Sequence, residues 1–207
     1  MIIKRLVVGP LETNAYIIGD ETTRQALVVD PGDEPDRILE LIKDSGLEVT
    51  AIICTHAHFD HIGAAGDIKN ATGAGILIHR DDLEGYELVR DQAAMWGYDI
   101  DELPAPDGFI EEGDNIRAGN LSFSAMHTPG HSPGGICLYG EGVIVTGDTI
   151  FRGSVGRTDF PGGSVEKLRE SFKRILALPD ETVILSGHGP ETTVGTEKRE
   201  NFFVREL

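Results

Sequence analysis

The apolar positions of this chain fall in short, dense runs separated by turns rich in Gly, Pro and Asp. Ile2 to Val8, Asn14 to Gly19 and Ala26 to Val29 read as strands, the third running into the turn signal Asp30-Pro31-Gly32. From Glu34 to Lys43 the period changes. Ile38, Leu39, Leu41 and Ile42 give that stretch one apolar face, as a helix requires, and Ser45-Gly46 stops it. Val49, Ala51, Ile52 and Ile53 have the length and branching of a buried strand. A helix is expected from Gly63 to Asn70, ending at Thr72-Gly73, then a strand at Ile76 to Ile78 and a helix from Asp81 to Trp96. Tyr98 to Asp114 has few apolar anchors and two prolines, and reads as a connection. Ile116, Leu121 to Met126, Gly135 to Tyr139 and Val143 to Val145 are expected as short strands. Ser164 caps a helix from Val165 to Leu176 with Leu168, Phe172, Ile175 and Leu176 on one face. Thr182 to Leu185 is the last clear strand, and Gly195 to Asn201 a short helix. This alternation predicts an α/β (α+β) chain. Val49 to His56 and Glu181 to His188 both run from a strand into a histidine, which fits two halves, each a sheet with flanking helices.

Composition changes this picture little. The chain of 207 residues is long enough for a sizeable core, and one domain spanning 1–207 is the default. Charge says more. Lys and Arg number 18 against 35 Asp and Glu, a formal net charge of -17, so nucleic acid and anionic membrane surfaces are poor partners. No apolar run reaches membrane-spanning length, and Met1-Ile2-Ile3-Lys4-Arg5 opens no long apolar signal core. Cys54 and Cys137 stand alone in apolar stretches, which reads as packed thiols in a cytoplasmic protein.

The chemistry is concentrated in Thr55-His56-Ala57-His58-Phe59-Asp60-His61, three histidines and one aspartate directly after a buried strand. Imidazole nitrogen and carboxylate oxygen suit zinc, iron or manganese. Three later turns repeat the arrangement: His127-Thr128-Pro129-Gly130-His131, Gly147-Asp148-Thr149 and Ser186-Gly187-His188-Gly189-Pro190. Each puts a His or Asp at a strand end beside glycines that allow close backbone approach.

In these four ordered motifs the chain resembles the metallo-β-lactamase superfamily. Within it, Gly147 to Phe160 and Gly187 to Thr193 are similar to short glyoxalase II-like hydrolases, the hydroxyacylglutathione hydrolases. The resemblance implies an αββα sandwich of two mixed β-sheets with helices on the outer faces and metals at one edge. It implies a first metal on His56, His58 and His131, a second on Asp60, His61 and His188, and Asp148 bridging both. Asp60 and Asp148 are then also the catalytic carboxylates. Two divalent ions are expected, zinc first, with iron and manganese suited by the same ligand types. The expected reaction is hydrolysis of a small-molecule thioester of the hydroxyacylglutathione type. Such a site needs no side-chain nucleophile, because a metal can lower the pKa of a bound water from ~15.7 to about 7. Arg157 and Lys198 are the candidate grips for a carboxylate of the thiol carrier. The helical C-terminal extension by which full-length glyoxalase II enzymes bind glutathione is expected to be missing. Two alternatives share the motifs: a mononuclear iron dioxygenase acting on glutathione persulfide, which is similar through Gly156-Arg157-Thr158-Asp159-Phe160, and a di-iron redox protein. His79 and His127 match no ligand position and are expected to be structural.

Overall fold

Two sheets of six strands face each other, and the computed structural model describes residues 1–206. The first half contributes β1 (Ile2–Val8), β2 (Thr13–Gly19), β3 (Gln25–Val29), β4 (Glu48–Ile53), β5 (Gly75–Ile78) and β6 (Gly108–Phe109), adjacent in that order. The pairs β1–β2 and β2–β3 are antiparallel, and those from β3 to β6 are parallel. The parallel strands are joined by α1 (Pro35–Ser45), by α2 (Phe59–Ile62) with α3 (Ala65–Thr72), and by α4 (Leu83–Glu87) with α5 (Val89–Met95). The second half contributes β7 (Asn115–Ala118), β8 (Leu121–His127), β9 (Ile136–Gly140), β10 (Val143–Gly147), a small hairpin β11 (Ile150–Phe151) and β12 (Ser154–Val155), α6 (Val165–Leu176), β13 (Val183–Ser186), β14 (Thr192–Thr193) and α7 (Val194–Glu200). Its sheet runs β14-β13-β10-β9-β8-β7, with only β10 and β13 parallel. No helix among the described residues is long and apolar enough to cross a membrane.

The reason for this layering lies in strands that are apolar on both faces. In β2, Ala15 and Ile17 pack toward the helices of the first half, while Tyr16 and Ile18 face the second sheet; β3 divides likewise into Ala26 and Val28 against Leu27 and Val29. The inter-sheet core joins these to Phe123, Ala125, Leu138, Val145 and Leu185. Beyond the second sheet, Ile144 and Ile184 pack under Leu168, Phe172 and Ile175 of α6. Burying each such side chain stabilises by about 1.5–3 kcal/mol. Ser164 caps α6, its hydroxyl accepting from the Lys167 amide at 3.3 Å. The four layers are the expected αββα sandwich.

Three local expectations are corrected. The helix expected over Asp81 to Trp96 is instead a 3-10 turn at Arg80–Asp82 followed by α4 and α5. Gly85 weakens the interior and Leu88 leaves helical geometry (φ -96°, ψ 7°), which keeps Val89 and Ala93 in the core. The helix expected from Gly63 begins at Ala65 as α3, and Asp60 and His61, expected on the loop before it, stand in a separate short helix, α2. The connection between Tyr98 and Asp114 contains β6, whose two residues extend the first sheet beside β5.

Candidate metal centre

Strands β4, β8, β10 and β13 all end at one edge of the sandwich, and the seven expected ligands stand past those ends, Asp60 and His61 in α2 and the other five on loops. His56, His58 and His131 form one set. His58 Nδ1 lies 2.9 Å from His131 Nε2, and the three ring centroids are 4.6–4.9 Å apart. Asp60, His61 and His188 form another, with His61 Nε2 at 3.3 Å from His188 Nε2 and Asp60 Oδ2 at 3.4 and 3.5 Å from the two imidazoles. Asp148 lies between the sets. Its Oδ1 is 3.4 Å from His61 Nε2, and its Oδ2 is 3.5 Å from His131 Nε2 and 3.6 Å from His188 Nε2.

The outer partners fix which nitrogens face inward. His131 Nδ1 donates to the Arg157 carbonyl at 2.7 Å, so its Nε2 carries the lone pair. His61 Nδ1 donates to Asp30 Oδ2 at 3.0 Å. The Thr55 hydroxyl donates to that same carboxylate oxygen at 2.7 Å and can therefore only accept from His56 Nδ1, at 3.0 Å. That leaves His56 Nε2 a bare lone pair, buried and without a partner, as is Asp148 Oδ1. Buried polar atoms are rarely left unpaired. Lone pairs and carboxylate oxygens converging with nothing between them are a donor set for cations, and the nitrogen–oxygen composition fits divalent ions.

Electrostatics agree. Burial pushes His56 well below its ordinary range, and burial with the neighbouring His131 brings His58 down to about 3. Both are neutral donors at physiological pH. Burial alone would lower His61 and His188, but Asp148 and Asp60 outweigh it and pull both up. Against burial, His61 and His188 hold Asp60 below the carboxylate range, helped by the Thr13 hydroxyl donating at 2.8 Å. Asp148 is likewise held down, against burial, chiefly by His61. This half of the cluster attracts positive charge, whether as protons or as a cation.

Backbone access is as specific as the ligands. A Cβ on Gly187 would press on Asp148 Oδ1 and stand 2.7 Å from His61 Cε1. The strand β2 anchors the His188 loop. Asn14 Nδ2 donates to the Ser186 and Gly189 carbonyls at 2.8 Å each, and the Tyr16 hydroxyl donates to Ser186 O at 2.8 Å.

Both expected substrate grips are engaged in ion pairs. The Arg157 guanidinium forms two hydrogen bonds to Asp159, at 2.7 and 2.6 Å, and lies 4.1 Å over the Phe160 ring. Lys198 is not brought to the cluster: its ammonium donates to Leu178 O and Asp180 Oδ1, before the start of β13, whereas His188 follows that strand's other end. His79 and His127 stack in parallel (4.0 Å, 10°), and parallel rings cannot both aim lone pairs at one ion. Sequence reasoning missed Asp30, taken only as a turn residue, although it ends an apolar run as Asp148 nearly does. It also missed Asp82, whose buried carboxylate accepts from Ala57 N (3.0 Å), Ser132 Oγ (2.8 Å) and Gly134 N.

Residues 8–188 match the sequence pattern of the metallo-beta-lactamase superfamily. The chain belongs to that superfamily. Among its relatives, the hydroxyacylglutathione hydrolase GloC of Haemophilus influenzae is 35% identical, over 99% of this chain and 98% of that protein. Two solved superfamily structures superpose over nearly the whole chain. The BLEG-1 B3 metallo-beta-lactamase does so with a TM-score of 0.92 and 34% identity, covering 98% of this chain and 99% of the other. TTHA1623 in a di-iron-bound form gives 0.90 and 42%, covering 97% and 99%.

Proposed function

We propose that the chain hydrolyses small acyl thioesters with two divalent cations. The observation that carries this reading is Asp148, one carboxylate that lies between both donor sets, with Oδ1 facing His61 and Oδ2 facing both His131 and His188. His56, His58 and His131 would hold one cation and Asp60, His61 and His188 the other. When bound, the ions supply Lewis-acid polarisation of the carbonyl and an activated water. The chain's part is orientation. Asp30 and the Arg157 carbonyl aim the imidazoles, Thr13 steadies Asp60, and Asp148 sets the spacing between the sets. Neither cysteine is a nucleophile: both are fully buried, and burial raises Cys54 and pushes Cys137 up to about 11. A thiolate leaves readily without a strong general acid, which suits a site whose His56 and His58 are held neutral. Likeness to a hydroxyacylglutathione hydrolase supports the thioester, and likeness to a di-iron-bound structure supports iron beside zinc as the ion.

The test is thiol release from S-lactoylglutathione after loading with zinc, manganese or iron, alongside elemental analysis. Two ions per chain and release are expected, and Asp148→Asn should lose most of the second ion and the turnover. No release with any metal, together with oxygen uptake on glutathione persulfide by the iron form, would replace this reading with the dioxygenase.

A further inference from the structure

Beside the first set of histidines the mouth of the site is aromatic. The Phe160 ring stands edge-on to His58 at 5.2 Å and lies 6.4 Å from His131. Trp96, following α5 from the other half of the molecule, meets Phe160 edge-to-face at 6.2 Å. Trp96 is 55% exposed, and Met95 just before it is 86% exposed. In a chain of net charge -17 this is apolar surface gathered at the metal centre, on elements from both halves. Exposed apolar surface costs free energy, and when it borders a cluster of convergent polar groups it has the composition of a ligand site. The nearby charge does not favour an anionic ligand. The Arg157 guanidinium is already paired with Asp159, and its flat face covers Phe160, so what it presents to the mouth is a fixed, neutralised support for the ring.

We propose that Trp96 and Phe160 form a binding wall for an aromatic or branched apolar group of the substrate, held on the His58 and His131 side of the centre. The proposal rests on the thioester-hydrolase reading and names its substrate class: thioesters with a bulky apolar acyl group on a small carrier, in preference to those whose recognition depends on the carboxylates of glutathione. The geometry makes the wall a specificity element. It contacts the part of the substrate that does not react and leaves the donor sets untouched.

Two measurements test it. In the first, acetyl and phenylacetyl thioesters of one small neutral thiol are compared on the metal-loaded protein. The wall predicts a kcat/KM at least about tenfold higher for phenylacetyl, carried mainly by KM, and a ratio that falls toward one in Trp96→Ala. The second needs no turnover. Trp96 is the chain's single tryptophan, so its fluorescence reports on the wall directly. A non-hydrolysable phenethyl thioether of the same thiol should change the emission saturably, its methyl counterpart should not, and Phe160→Ala should abolish the response while keeping the reporter. An emission that ignores both thioethers overturns the wall, as does an equal kcat/KM for the two thioesters, while leaving thioester hydrolysis standing. A saturable phenethyl response in a protein that cleaves no thioester supports the wall and overturns the reaction.

Discussion

Replacing Asp82 by Asn tests how the first donor set is held without touching a ligand. Asp82 ends the 3-10 turn after β5, is 2% exposed, and bonds two loops at once. Its Oδ2 accepts from the amide of Ala57, between His56 and His58, and from the hydroxyl of Ser132, next to His131; its Oδ1 accepts from the Gly134 amide. One carboxylate from a third element thus ties together every loop that supplies the first set. Burial pushes its carboxyl up, and the three donors oppose that. An asparagine has the same shape but one acceptor oxygen. It can satisfy Ala57 and Ser132, and then turns an NH2 toward the Gly134 N–H. A buried donor left unpaired costs about 1–3 kcal/mol, and the two remaining bonds lose charge assistance, so the total is roughly 2–4 kcal/mol. For a domain of this size that lowers the melting temperature of the metal-free protein by roughly 5–15 °C. Outer partners of metal ligands also change affinity by about 10–100-fold, and here the loss should fall on the His56, His58 and His131 set and spare the set on Asp60, His61 and His188. Thermal melts of the metal-free variant and a chelator-competition titration of each ion measure both effects. An unchanged melting temperature with two unchanged affinities would refute the reasoning.

Gly187→Ala should leave circular dichroism intact yet cut metal content below two ions per chain, because the new methyl presses on Asp148 and His61; full occupancy would show that the loop can give way. Asp20 accepts from the amides of Thr22 and Asn120 and from the side chains of Thr23 and Asn120, which hold its carboxyl down, from 3.8 to about 2. A carboxyl depressed in the folded state stabilises above its unfolded value, and that contribution is lost as pH falls from near 3.8 through about 2. Asp20→Asn should therefore flatten the pH dependence of unfolding in that window, and an unchanged profile there would count against the assignment. Chelation of the loaded protein should lower its melting temperature, since a ligand at 100 times its Kd adds about 2.7 kcal/mol per site, and restoring the ion should reverse the loss; a melting temperature indifferent to metal would contradict the donor-set reading.

Taken alone, Asp148 reads as a turn-former and His188 as a loop histidine; the cluster was legible only in combination, as four loops each with a His or Asp near a strand end, and through the resemblance those motifs carry. Asp30 carried a similar signal but sat in Asp-Pro-Gly, where turn formation is a sufficient explanation for the residue type. Asp82 had no signal, since the groups it binds are 25 to 52 positions away and only the fold brings them near. The α/β class followed from the alternation of strand and helix patterns, while the αββα sandwich followed from the resemblance carried by the four motifs. The pairing of Gly108–Phe109 beside β5 is set by the neighbouring strand rather than by any local pattern, and so was not legible. The break at Leu88 was concealed because Val89 and Ala93 continue the apolar spacing of the preceding turns.

The anchoring of the His188 loop by Asn14 and Tyr16 has a consequence for biosynthesis. The second donor set draws Asp60 and His61 from the early part of the chain and His188 from close to its end, and both its loops lean on a strand made at the very start. On the ribosome His56, His58, Asp60 and His61 emerge long before their partners. Until the later residues are made, each donor set lacks at least one member, so a cation held there would have fewer protein ligands than in the finished site. The second set is complete only when β13 is paired with β10 and the His188 loop is held on β2. Metal supplied during refolding would therefore meet an incomplete ligand set and metal supplied afterwards the whole one, so the two orders of addition are expected to differ in the ion retained if exchange is slow.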